Sequence, residues 1–145
     1  MKWLPPVSGL KRIHSWFDKS KGRLVRVEIY DEPETLDTLI EWTNERRSMG
    51  YETEIRRCYL RGANQYGYAV KLSPDHPYVY IADDLTVYVK QKDYVKNHAA
   101  LRVALRYILT YAGYKLKYRR TDIDTHKNVR TTQITLTEKL SKEMI

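Results

Sequence analysis

Asp93–Gly113, DYVKNHAALRVALRYILTYAG, carries the longest helical period in the chain. Tyr94, Leu101, Leu105, Ile108 and Ala112 recur at three-, four- and seven-residue steps and so fall on one face, which Ala104 and Leu109 widen. Lys96, Arg102, Arg106 and Thr110 lie opposite. Asp93 is suited to accept from the free amides of a first turn, and Gly113 to take the left-handed conformation that closes a helix. The pattern predicts a helix over Tyr94–Ala112 with a core-facing apolar stripe. Its basic outer face is either simply solvated or available to a partner.

Working outward, a second helix is expected over Glu32–Met49. Asp31 is placed as its N-cap, Pro33 is tolerated in the first turn, and Glu34 stands three residues on as the return half of a capping box. Leu36, Leu39, Ile40 and Thr43 supply its buried stripe, Arg46 and Arg47 favour the negative end of the dipole, and Gly50 terminates it. Leu24–Tyr30 alternates Val25, Val27 and Ile29 against Arg26 and Glu28, as a half-buried strand does. Tyr51–Leu60 and Tyr66–Leu72 read as strands joined through Arg61–Asn64, and Ser73–Pro77 is a break. Tyr78–Ala82 and Leu85–Lys90 read as a hairpin around Asp83-Asp84. A two-residue loop puts Tyr78, Tyr80, Ala82, Leu85, Val87 and Val89 on one face, and Val79, Ile81, Thr86 and Tyr88 on the other. Both faces are largely apolar, so these strands are expected to be covered on two sides.

After the long helix, Lys115–Arg120 and Arg130–Leu136 form a further strand pair around Thr121–Val129. The N-terminal stretch MKWLPPVSGLKRIHSWFDKSKG (1–22) combines Pro-Pro, glycines and basic residues with Trp3, Leu4, Leu10, Ile13, Trp16 and Phe17. A short helix around Leu10–Phe17 that lays tryptophans over the core is one expectation for it. A basic arm that stacks tryptophans on bases is the other. The fold expected is α/β or α+β: a mixed, mostly antiparallel sheet of about five to seven strands with two main helices.

The chain, 145 residues and 17.3 kDa, fits a single domain over 1–145, with 1–22 as a basic and aromatic segment, 23–136 as core and 137–145 as a C-terminal tail. One cysteine, Cys58, excludes an intrachain disulfide. No secretion signal and no membrane span is legible, so an intracellular, cytoplasmic address is expected. Twenty-six Lys and Arg against eighteen Asp and Glu give a formal charge of +8, which draws polyanions, with DNA or RNA first and an anionic membrane surface second. Thirteen tyrosines against one phenylalanine, with 30% charged residues, resemble the composition of proteins from hyperthermophilic archaea and their viruses.

The densest positive patch is the Lys115–Arg130 ribbon. Leu116 and Tyr118 alternate with Lys115, Lys117 and Arg119, so one face of the strand is nearly all cationic, with Arg120, Lys127 and Arg130 nearby. Such a ribbon can follow a phosphate backbone, and Arg102 and Arg106 on the long helix would extend it. An edge hairpin protected from aggregation by its cations is the alternative. The function expected first is a small nucleic-acid-binding protein with no cofactor. A protein-interaction or virion structural role is a further class, and the sequence leaves a homodimer and any protein partner open.

A second resemblance concerns the order of elements from about 34 to 120. Glu41 or Glu45 on a helix, then Gly50-Tyr51 and a strand, Pro74-Asp75, a hairpin, Tyr88-Val89-Lys90 and another helix resemble the core of the PD-(D/E)XK nucleases, archaeal Holliday-junction resolvases among them. That resemblance implies magnesium held by Asp75 with Glu41 or Glu45, and Lys90 as the catalytic lysine. The family's second carboxylate falls on Tyr88, whose phenol does not replace it as a hard-cation ligand. The resemblance therefore implies a nuclease or an inactive relative. The strand-helix-strand-strand-helix-strand order from Leu24 to Arg120 also fits a ferredoxin-like sheet, and Gly67-Tyr68-Ala69-Val70 faintly resembles the aromatic strand of RNA-recognition motifs. His14, His76, His98 and His126 lack metal-ligand spacing, Asp122, Asp124 and His126 read as a polar turn, and no phosphate loop or nucleophile elbow is present.

Overall fold

The computed structural model describes residues 2–20, 22–121 and 133–135, the last as backbone. In chain order the elements are β1 (Leu10–Arg12), β2 (Ser15–Ser20), β3 (Arg23–Asp31), α1 (Asp37–Ser48), β4 (Glu54–Leu60), β5 (Gln65–Lys71), β6 (Tyr78–Ala82), β7 (Val87–Lys90), α2 (Gln91–Lys96), α3 (His98–Ala112), β8 (Lys115–Thr121) and β9 (Gln133–Thr135). This is an α+β protein with two antiparallel sheets and two principal helices. The chain groups into two compact units. One is Met1–Ile13 with Glu32–Tyr114, and the other is His14–Asp31 with Lys115–Ile145.

The larger unit is built on a five-stranded sheet in the order β1-β7-β6-β5-β4. Both faces are buried, as the apolar runs require. Val70, Val79, Ile81, Val87 and Val89 line one face, and Cys58, Leu60, Ala69, Tyr80 and Ala82 the other. Helix α3 packs on β6 and α1, and its stripe of Leu101, Ala104, Leu105, Ile108, Leu109 and Ala112 is wholly buried. The opposite face is filled by Val7, with Leu4 and Leu10 beside it.

Residues 2–12 serve both edges of this sheet. Leu4 N and Val7 N donate to Arg57 O and Tyr59 O at 2.8 and 2.9 Å along β4, and β1 then pairs with β7 at the other edge. One segment thus closes the sheet on itself, satisfying edges that otherwise invite aggregation. Tight closure demands small residues inside, and Gly67, Ala69, Ala82 and Cys58 supply them. The helix expected around Leu10–Phe17 does not form, because Leu10–Arg12 is drawn into the β7 ladder and Ser15–Ser20 into that of β3.

Both helix boundaries differ from expectation. Instead of Glu32–Met49, α1 runs from Asp37 to Ser48. Asp31 remains in β3, paired with Lys115, so no capping box forms. The Thr35 hydroxyl accepts from Asp37 N at 3.4 Å. Instead of one helix over Tyr94–Ala112, α2 ends at Lys96, Asn97 caps it, and α3 begins at His98. The break lies in the backbone of Asn97, which takes φ −110° and ψ 38°, although its N–H still makes the helical bond to Asp93 O at 2.9 Å and its side-chain amide donates to the Asp93 carboxylate at 3.0 Å. Asp93 therefore belongs to the first turn of α2, and Tyr94 is a half-buried ring edge-on to His98. Gly113 does close α3 with φ 99°, and Gly50 follows α1 with φ 94°.

Between the facing residues Ala82 and Thr86 the β6–β7 turn has three residues, Asp83–Leu85. Ala82 N donates to Thr86 O at 2.9 Å, Leu85 N donates to Ala82 O at 2.8 Å, and Leu85 takes φ 75°. The Asp84 carboxylate accepts from Thr86 N at 3.0 Å, and the Tyr114 hydroxyl donates to Leu85 O at 2.6 Å. One residue more than a two-residue turn reverses every side chain on β7. Val87 now shares a face with Ile81, and Tyr88 with Tyr80.

In the smaller unit, β2, β3 and β8 form an antiparallel sheet to which β9 adds beside β8. Trp16, Val25, Val27 and Tyr118 are buried on one face. Because β3 and β8 pair with each other in a sheet separate from β4–β7, no single ferredoxin-like sheet forms. Lys127, Arg130 and the tail 137–145 lie outside the described residues.

Candidate functional site

The open face of the smaller sheet is set by strand alternation. In β8, Lys115, Lys117 and Arg119 point to the side opposite Leu116 and Tyr118. Cross-strand pairing adds Arg26, opposite Arg119, and Glu28, opposite Lys117, then Phe17 and Ser15 from β2. Lys19 joins them at the end of β2. A register shift between Ile29 and Asp31 leaves Tyr30 as the extra residue, so that Tyr30 and Asp31 both turn to this side. Among the described residues the face carries five cations, Lys19, Arg26, Lys115, Lys117 and Arg119, against two carboxylates, Glu28 and Asp31.

Those two carboxylates are used internally. Glu28 lies 3.3 Å from Arg26 Nε and 3.5 Å from Arg119 Nε, and Asp31 lies 3.9 Å from Lys115 Nζ. Arg26 also donates to Ser15 Oγ at 3.3 Å. Such exposed pairs add little stability, about 0 to 1 kcal/mol each. Their effect here is orientation: Glu28 stands between two guanidiniums whose side chains remain 45% (Arg26) and 31% (Arg119) exposed. Lys117 takes part in none of these ion pairs and carries its ammonium 5.2 Å from the centre of the Tyr30 ring. Arg26 stands 6.0 Å from the Phe17 ring. Tyr30 is 60% exposed and Phe17 40%, whereas Trp16 on the other face of β2 is 2% exposed.

The sequence-derived residues divide accordingly. Lys115, Lys117 and Arg119 share the open face. Arg120 pairs with Val25 and belongs to the buried side, so it does not join them. Arg102 and Arg106 stand on α3 of the larger unit, both half-buried, with Arg106 5.7 Å from the Tyr107 ring. Phe17, Arg26 and Tyr30 are the additions that sequence reasoning missed. The signal available was a hairpin: alternation through Ser15–Ser20, a glycine at Gly22, and a matching alternation from Arg23.

The residues carried over from the nuclease resemblance stand on α1, on β7 and between β5 and β6. Asp75 is exposed in the turn where His76 N donates to Ser73 O at 3.0 Å. Lys90 ends β7 opposite Leu10, Tyr88 pairs with Tyr80 and Arg12, and Glu41 and Glu45 are exposed on α1. Among the described residues no three His, Cys, Asp or Glu side chains group as a metal site. Cys58 is buried, and burial raises its thiol pKa, as suits a packing residue.

A second aromatic group lies on the larger unit. Tyr66 meets Trp3 edge-on at 5.8 Å and Tyr59 at 5.0 Å. Arg57 stacks over Tyr68 at 4.5 Å and is held by both Asp83 oxygens at 2.7 and 3.1 Å. That carboxylate raises the Arg57 pKa further, so the guanidinium is a fixed charge committed to the β6–β7 turn. No described helix is long and apolar enough to cross a membrane. Compared with known protein families, with curated proteins and with solved structures, the chain matches none.

Proposed function

We propose that this protein binds nucleic acid through the open face of the smaller sheet, with Lys115, Lys117, Arg119 and Arg26 contacting phosphates. The observation that carries this is the convergence of five cations on one face whose two carboxylates are already engaged with three of them. Guanidiniums fixed by Glu28 offer forked donors suited to phosphate oxygens, and Lys117 adds a point charge. The formal charge of +8 favours encounter with a polyanion before any contact is made.

The test is a titration of labelled DNA and RNA, single- and double-stranded, over a range of salt, with Lys115, Lys117 and Arg119 replaced by alanine. Binding should weaken on all sequences alike. The slope of log affinity on log salt should fall by roughly 0.7 per lost phosphate contact for a single strand and 0.9 for a duplex. Unchanged affinity and slope in a variant that melts like the parent would remove the proposal. Magnesium-dependent products on a denaturing gel would move the function to cleavage instead.

A further inference from the structure

We infer that the strand bound on this face is single-stranded, and that Phe17 and Tyr30 are its base-stacking platforms. The inference rests on the nucleic-acid reading above and adds to it which strand form is preferred and which side chains read it.

Rings on the buried face of the same sheet, Trp16 and Tyr118, are 2% and 7% exposed, so this small sheet does bury aromatics where packing needs them. Phe17 and Tyr30 are left 40% and 60% exposed. Leaving large apolar area in water forgoes the gain that burial supplies. Phosphate contacts alone give these rings no role. The register shift at Tyr30 sets that ring beside Lys117, and the β2–β3 pairing sets Phe17 opposite Arg26. Each ring thus has a cation on one side, at 5.2 and 6.0 Å, and an open remainder. A base laid on the open part of a ring brings its own phosphate within reach of that neighbouring cation. In a duplex the base faces are stacked on one another and cannot meet the rings. A single strand presents both base faces and phosphates, which matches the interleaving of Phe17 and Tyr30 with Arg26, Lys117 and Arg119. The charge on the face fixes the occupant as anionic, and the rings fix it as one with flat, exposed bases.

The experiment compares the parent with Phe17→Ala, Tyr30→Ala and the pair K117A/R119A. The probes are a single-stranded oligonucleotide, its duplex, and an abasic strand of the same length. Each ring deletion should lower affinity for the single strand by roughly 5- to 150-fold, the range found for loss of one stacked base. Duplex and abasic affinities should hardly change. Tyr30→Phe should restore single-strand binding, since the ring and not the hydroxyl is used. K117A/R119A should weaken all three probes. If it does so while the ring variants leave the single strand unaffected, the stacking inference is overturned and the phosphate-binding reading stands. If the parent prefers duplex, or binds the abasic strand equally well, the inference is likewise overturned. If the parent binds none of the three, both fail.

Discussion

Gly67→Ala is the sharpest test of the closed sheet in the larger unit. A Cβ at Gly67 would stand 2.5 Å from Ile81 O, 2.9 Å from Ala82 Cα and 2.9 Å from Leu60 Cδ1. Two of these atoms are backbone of β6, so no side-chain rotation relieves the overlap. Ordinary contact near 3.5 Å would require β5 and β6 to part by roughly an ångström. That displacement acts on a ladder running from Gly67↔Ala82 to Lys71↔Tyr78. Overpacking of this kind costs about 1 to 3 kcal/mol, and each ladder hydrogen bond lost adds about 1 kcal/mol. Alanine returns only about 0.4 to 1 kcal/mol through the unfolded chain. A net loss of about 2 to 3 kcal/mol is expected, which lowers a urea midpoint by roughly 1 to 2 M at the slopes usual for small proteins. Urea unfolding with hydrogen exchange at the β5 and β6 amides reads both the size and the place of the change. A midpoint equal to or above that of the parent would refute close approach of β6 at Gly67, and with it the tight coiling inferred for the sheet.

Leu105→Ala removes a fully buried side chain from α3 and should cost about 2 to 5 kcal/mol, seen as a lower melting temperature; a change below 1 kcal/mol would mean that α3 is not core. Tyr78→Phe should weaken the acid limb of the stability curve, because the Tyr78 hydroxyl donates to Glu54 at 2.8 Å and this bond, helped by Arg56 and Lys71 against burial, holds the Glu54 carboxyl below its usual range. A lowered folded pKa stabilises above the unfolded pKa and is lost as pH falls through the folded one. The parent's advantage over Tyr78→Phe should therefore be full at neutral pH and shrink below about pH 4, and a difference constant with pH would exclude the ion's part in it. Leu85→Gly should be neutral or slightly stabilising, since glycine meets no steric penalty at the φ of 75° that Leu85 holds, whereas Leu85→Val should destabilise. The reverse order in thermal melts would show that the Leu85 side chain outweighs its backbone strain.

How much of this fold could be read beforehand depended on whether local signals had competitors. The α3 stripe and Gly113 were legible because apolar period and terminator agree at one place. The α1 start was not: Asp31, Pro33 and Glu34 spell a capping box, yet Asp31 is held by ladder pairing and an ion pair with Lys115, 84 positions later in the chain. Asn97 similarly splits a period that is continuous in sequence. The β6–β7 hairpin was located correctly, but its facing turned on one loop residue. Asp83-Asp84 looks like a complete two-residue turn, whereas the bonds from Thr86 N to the Asp84 carboxylate, from Asp84 N to Gln65 and from Tyr114 to Leu85 O accompany a turn of three. Closure by residues 2–12 left no local mark, because its partners in β4 and β7 are remote in sequence.

For the candidate site the same limit falls on the partners rather than on the strand itself. Alternation within Lys115–Arg119 could be read one residue at a time, and the cationic side follows from period alone. What period alone withholds is the neighbour. Whether β8 meets an acidic, apolar or aromatic strand decides if its cations are neutralised, buried or displayed. Pairing with β3 supplies a single glutamate between two arginines, which arranges charge without cancelling it. The register shift at Tyr30 then brings Asp31 to the lysine nearest the end of the strand and leaves Lys117 over a ring. Had β3 continued in register, Lys115 would face Tyr30 and Asp31 would turn to the other side. The shift thus adds its carboxylate only at the end of the face, beside Lys115, and leaves Glu28 between Arg26 and Arg119 in the middle, where the proposed phosphate contacts lie.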